Sequence, residues 1–154
     1  MSRSYPKVTA NPSARLFEIA IDISAPPQRV WSVTTDIERW PEWTASVLSV
    51  RRLDSGNFRV GSRARIRQPK FLPAVWEVTE LKEGRNFTWV TRSPGLRAAG
   101  HHAVEPTASG SRATLSVTYS GMLGGVVARL IGRTTERFLT LEANGLKKRS
   151  EEAR

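Results

Sequence analysis

The sequence predicts an α+β domain in which one curved, seven-stranded antiparallel sheet wraps a long carboxy-terminal helix, with two short helices after the first strand. Three observations carry that expectation. Segments of alternating apolar and polar residues recur between residues 15 and 120, the period of half-buried strands. Their connections are short and rich in turn residues, which favours consecutive antiparallel hairpins. After Gly121 the apolar residues recur at steps of three or four instead, as in an amphipathic helix.

The elements follow in order. Residues 1–14 are polar, aperiodic and carry two prolines, so they read as a loose arm. From Arg15 to Ile23, Phe17, Ile19, Ile21 and Ile23 share one face while Glu18 and Asp22 share the other, which predicts the first strand. Ser24 or Ala25 is expected to cap a short helix, since proline is tolerated in a first turn, and Val30, Trp31 and Val33 follow at near-helical spacing. Asp36 opens a second short helical piece that Pro41 ends or kinks. Strands are expected near 45–54, 61–68, 74–82, 86–93, 96–105 and 111–120. Asp54-Ser55-Gly56-Asn57, Pro69 to Pro73, Glu83-Gly84, Pro94-Gly95 and Pro106 to Gly110 separate them. Leu123, Val127, Leu130, Ile131, Phe138, Leu141 and Leu146 then trace one helix face over about 122–149, with cations in the last turns to suit the helix dipole. A sheet this large curls, and a helix with one apolar stripe must bury it against the concave side. Two short helices do not fill the remaining gap, so a cavity is expected.

Composition narrows the function classes. The 154 residues, 39% hydrophobic and 25% charged, fit a single domain with a real core. We expect that domain to occupy residues 15–149, with a tail at 150–154. No apolar run reaches the roughly 18 residues of a membrane span. The absence of cysteine excludes a disulfide framework, a thiolate metal site and a cysteine nucleophile. The opening residues contain no apolar leader core, so a cytoplasmic protein is expected. The formal net charge of +10 would attract anionic partners over a distance, or it is simply a solvated basic surface. A homodimer is left open.

Hairpin pairing assigns faces, because opposed residues share a side. A two-residue turn at Pro94-Gly95 places Trp89 opposite Gly100, Phe87 opposite His102 and Thr91 opposite Ala98. A two-residue turn at Glu83-Gly84 sets Val78 opposite Trp89 and Trp76 opposite Thr91. Across Pro106 to Gly110, Leu115 meets His102 and Val117 meets Gly100. One face therefore collects Trp76, Val78, Phe87, Trp89, Gly100, His102, Ala113, Leu115, Val117 and Tyr119. The other collects Glu77, Thr79, Thr88, Arg92, His101, Thr114 and Ser116. Glu80 is placed inside, near the turn, as a weak partner for His102.

Several side chains are candidates for chemistry. Gly100 under Trp89 either relieves packing or leaves a notch for a ligand. His102 is a core histidine, a ligand-orienting group or a general acid/base. His101 and His102 point to opposite sides, so they cannot share a metal, and neither a metal nor a cofactor is expected. Trp40 and Trp43 flank Pro41 where a cavity mouth would lie, and Trp76 and Trp89 line its wall. An aromatic wall with few polar groups suits a flat apolar molecule. Arg63, Arg65 and Arg67 alternate along one strand and would form a patch for RNA, a ribosome or an anionic membrane.

The stretch IAIDISAPPQRVWSVTTDIERWPEW, with Ala25, Pro26, Val30, Trp31, Asp36, Trp40, Pro41 and Trp43, resembles the opening of the START-like (SRPBCC) superfamily. That superfamily includes polyketide cyclase/dehydrase-like and lipid-transport proteins. The later W-x-V-x-E at Trp76, F-x-W at Phe87, Ser93-Pro94-Gly95 and the glycine before the last helix extend the likeness over about residues 15–149. The resemblance implies a helix-grip fold around a hydrophobic cavity, in a family of carriers, receptors, cyclases and hydratases with quinone-binding and ribosome-associated relatives. Its cyclases place acid/base groups deep in the pocket, and His102 is the candidate here. The expected function is binding of a lipid, quinone or polyketide-like molecule by Trp40, Trp43, Trp76, Val78, Phe87, Trp89, Gly100, Leu115, Val117, Tyr119, Leu130 and Phe138. His102 would supply the orienting hydrogen bond. A cyclase/dehydratase using His102 and a basic adaptor are the alternatives.

Overall fold

Alternation of apolar and polar residues from Arg15 to Ile23 produces β1 at the start of the described chain. The computed structural model describes residues 15–152; the expected arm at 1–14 and the last two residues of the expected tail lie outside them. The following elements are α1 (Pro27–Thr35), a 3₁₀ turn (Ile37–Glu42), β2 (Ser49–Arg52), β3 (Arg63–Arg67), β4 (Ala74–Lys82), β5 (Asn86–Ser93), β6 (Leu96–Thr107), β7 (Gly110–Ser120) and α2 (Gly124–Glu151). The strands form one antiparallel sheet in the order β1-β7-β6-β5-β4-β3-β2, so the first strand pairs with the last. This is the expected helix-grip arrangement.

The start of α1 differs in detail from expectation. Pro26 is the N-cap and no side chain caps the helix, so neither Ser24 nor Ala25 has that role. Proline at the first position lacks one of the amides that a helix start leaves unpaired, and the Arg29 N–H donates to the Pro26 carbonyl at 3.0 Å. The Ser24 N–H instead donates to Glu151 Oε1 of α2 at 2.8 Å. Pro41 is accommodated inside the 3₁₀ turn, which ends one residue later. β2 begins at Ser49 because residues 44–46 bond locally: Thr44 Oγ1 and Ser46 Oγ lie 2.7 Å apart, and the Ser46 N–H also reaches Thr44 Oγ1. Such local bonds compete with a strand ladder.

The central registers match expectation. Trp89 faces Gly100, Phe87 faces His102, and His102 faces Leu115. Gly95 supplies the positive φ, +75°, of the tight β5–β6 turn. Val78 also faces Trp89, but by another route. Lys82 pairs with Asn86, which leaves three residues in the β4–β5 turn, and a bulge between Val78 and Glu80 absorbs the extra residue. Beyond the bulge the faces switch. Glu80 now pairs with Thr88 on the outer side and Leu81 with Phe87 inside, so Glu80 is not the inward carboxylate the two-residue turn would make it.

Helix α2 rests on β1 and β7, where Leu139 and Ala143 pack with Phe17, Ile19, Ile21 and Leu115. Its buried residues are Gly124, Ala128, Thr135, Leu139, Ala143, Leu146 and Ser150. The stripe is made largely of small residues, and a Cβ at Gly145 would collide with the Trp43 carbonyl. Close approach of the helix therefore depends on side chains that apolar periodicity does not pick out.

Candidate functional site

Between α2 and the concave face of the sheet lies a cavity of about 510 Å³. Its rim is formed by Phe71, Leu72 and Pro73 of the β3–β4 loop together with Arg92, Ser93 and Leu96. The Phe71 and Phe138 rings meet edge to face at 5.4 Å across it. A smaller chamber of about 70 Å³ adjoins it and shares Trp76, Val117, Leu139 and Glu142 as walls.

The expected site residues divide among these places. Trp76, Val117, Tyr119 and Phe138 line the large chamber. Trp40, Trp76, Trp89, Gly100, His102, Leu115 and Val117 line the small one. Val78 and Phe87 lie behind the wall in the core, fully enclosed. Trp43 packs on Trp40 with ring centroids 5.9 Å apart and is not part of either wall. Leu130 is 76% exposed and borders a separate surface groove with Phe17, Met122, Val126 and Arg129. Each residue turns a helix by about 100°, and that angle separates Leu130 from the inward Ile131.

The polar groups of the cavity form two stations. At the deep one, His102 Nε2 and Glu142 Oε1 are 2.9 Å apart, with side chains only 7% and 14% exposed. The histidine ring stacks on Phe87 at 4.5 Å and 9°, with Trp40 and Trp89 at 5.3 and 5.9 Å. In the tautomer protonated at Nε2 the ring donates to the carboxylate. Nδ1 is sealed from solvent and has no hydrogen-bond partner among the described residues. Nδ1 is thus walled in; the imidazole borders only the small chamber, while the carboxylate lines both. At the second station Thr135 Oγ1 donates to the Ile131 carbonyl at 3.0 Å, so the Tyr119 hydroxyl donates to Thr135 at 2.8 Å. Burial pushes the Tyr119 phenol above its ordinary pKa, opposed by the Thr135 bond.

Glu142, Thr135, Leu139 and Gln68 are wall residues that the sequence expectations do not include. Glu142 has a signal in the sequence: it lies three residues after Leu139 and four before Leu146, on the face those leucines bury. His101, by contrast, is on the outer face, bonded to Thr88 Oγ1 at 2.7 Å, and burial, followed by His102, lowers its pKa against the pull of Glu80. Arg63, Arg65 and Arg67 project from the outer face of β3, and Arg51 sits directly opposite Arg65. Among the described residues no three histidine or carboxylate groups gather as a metal site, and no helix is long and apolar enough to cross a membrane.

Comparison with known proteins places this geometry. Residues 14–151 match the family described as polyketide cyclase / dehydrase and lipid transport. No curated protein matches the chain. Among solved structures, the Zhui aromatase/cyclase from Streptomyces sp. R1128 shares 18% identity at a TM-score of 0.68, covering 90% of this chain and 94% of that one. TTHA0849 from Thermus thermophilus shares 20% at 0.68, over 89% of this chain and 96% of that one. The di-domain ARO/CYC BexL from the BE-7585A biosynthetic pathway shares 15% at 0.74, over 92% of this chain and 52% of that one. The chain therefore spans about half of the di-domain protein, and at these identities the likeness is one of fold.

Proposed function

Because the chain belongs to the polyketide cyclase / dehydrase and lipid transport family, we propose that its cavity takes up a flat, mostly apolar small molecule and moves protons on it, as a cyclase or dehydratase does. Family membership by itself supports hydrophobic ligand binding or a cyclase role. The observation that favours chemistry is the His102–Glu142 pair on the floor of a mostly apolar chamber. A pure container needs no such pair, because sinking a carboxylate into an apolar wall costs several kcal/mol before its partner repays it.

Glu142 is the group that meets the ligand, and His102, the acid/base candidate of the sequence, acts through it. In a dehydration Glu142 takes the proton from the carbon between a carbonyl and a carbinol. The carbon–carbon double bond forms, the carbon–oxygen bond breaks, and the proton leaves on the hydroxide as water. The carboxylate is then restored, and the His102 N–H holds it in position throughout. Glu142→Gln tests this: its amide oxygen can still accept from His102, so the cavity keeps its shape. Binding of polyketide-like ligands, followed by tryptophan fluorescence, is expected to persist while turnover of β-hydroxy ketones falls about 10²–10⁴-fold. Wild-type turnover in that variant would remove the assignment. No saturable fluorescence change across lipids, quinones and polyketides would remove the ligand as well.

A second reading rests on Arg51 facing Arg65. Like charges directly opposed across strands are destabilising, and a bound anion relieves the repulsion. This reading makes β2–β3 a docking strip for an anionic partner.

A further inference from the structure

We propose that the small chamber is a carbonyl pocket, in which the Trp89 indole N–H donates to a carbonyl oxygen of the ligand and Gly100 keeps the space for it. The inference rests on the proposed reading of the cavity and specifies the ligand's polar end. Trp31 and Trp40 spend their indole N–H groups on the Glu83 carboxylate and the Thr34 carbonyl, each at 3.0 Å. Trp89 is only 3% exposed, yet its N–H has no acceptor among the described residues and is not one of the sealed, unsatisfied nitrogens. A donor that opens only onto a chamber takes its acceptor from what fills that chamber, and a ligand carbonyl is such an acceptor.

The position of that N–H follows from Gly100. A Cβ on Gly100 would stand 2.8 Å from Trp89 Nε1 and 3.0 Å from Cδ1, with the Trp76 ring next at 3.6 Å. The nitrogen edge of the indole therefore leans over the bare backbone on the cavity side, beside the chamber that Gly100, His102 and Glu142 also line. The chamber, about 70 Å³, is a little over twice a water's share of liquid volume, about 30 Å³. That takes the carbonyl oxygen and the ring edge that carries it, and leaves the rest of the ring system to the large chamber. One wall offers a donor to the oxygen, and another offers the Glu142 carboxylate to the adjacent carbon. Donation to the oxygen stabilises the negative charge that builds there when the proton leaves. The ligand class is thus an aromatic or polycyclic ketone, entered carbonyl first.

The test uses 1-tetralone and its carbonyl-free analogue tetralin with the whole chain. Wild type is expected to bind the ketone about fivefold more tightly, the scale of one neutral hydrogen bond, and to shift its infrared carbonyl stretch to lower frequency. Trp89→Phe keeps an aromatic ring and deletes the donor, so both the preference for the ketone over tetralin, read as a ratio of affinities, and the shift should vanish. Gly100→Ala, which forces the indole aside, should have the same effect. Equal binding of the two compounds with an unshifted carbonyl would overturn the carbonyl pocket and leave the apolar cavity standing. Binding of neither would take both down. Loss of the shift in Trp76→Phe but not in Trp89→Phe would assign the donor elsewhere and overturn the proposal.

Discussion

At the scale of single residues, the cavity is defined by which polar groups are satisfied within the protein and which are left for a ligand. His102 is consumed by Glu142 and by aromatic stacking, and Tyr119 by Thr135. The tyrosine has a consequence for stability. Its folded pKa lies above the ordinary value because of burial. A group whose pKa is raised on folding contributes stability fully present below the unfolded pKa, about 10 for tyrosine, and lost as pH rises through the folded value. Thermal melts of wild type and Tyr119→Phe from about two pH units below the unfolded value to about 1.5 above it should therefore converge toward the alkaline end, the wild type losing more. A constant difference between the two would mean that the phenol is not held neutral by its surroundings. Only part of this is legible in the sequence. Hairpin pairing places His102 inward because it is a matter of counting. Its partner lies 40 residues away on a helix, and no local pattern joins the two.

At the scale of elements, the strands are readable and the helix face only in part, for a physical reason. Strand alternation has a period of two and turn residues mark its ends, so β5, β6 and β7 fall into register from the order of residues alone. The bulge in β4 leaves no such mark. It turns Glu80 outward while the longer turn restores Val78 opposite Trp89. For α2 the periodicity of large apolar residues selects Leu130, whereas burial selects Ala128, Thr135 and Ala143, because a helix seated close to a sheet needs short side chains. The contrast makes a stability prediction. Leu130→Gln, on the exposed flank, should change stability by no more than about 0.5 kcal/mol. Leu139→Ala, in the packed interface with Leu115 and Ala143, should cost about 2–5 kcal/mol. Denaturant titration of both variants checks the assignment, and comparable losses would mean that the helix is rotated from the position described.

At the scale of the molecule, the cavity and the basic strip are on opposite sides of one sheet, so ligand binding and any docking of an anionic partner are separable. Alternation guarantees this: on β3, Ala64 and Ile66 are buried inward while Arg63, Arg65 and Arg67 face out. Arg63 has Glu77 at 4.0 Å, with both side chains more than half exposed, an ion pair of the kind worth little in water. Reversing all three arginines to glutamate lowers the formal net charge from +10 to +4, two charges per site. If the strip docks a single-stranded RNA such as poly-U, the slope of log affinity against log salt should shrink by about 2, at roughly 0.7 per neutralised phosphate contact. The affinity of the cavity for tetralin should stay at the wild-type value, because no atom of its wall has changed. An unchanged salt slope would mean that the arginines are solvated surface and that the long-range attraction comes from charge elsewhere on the chain.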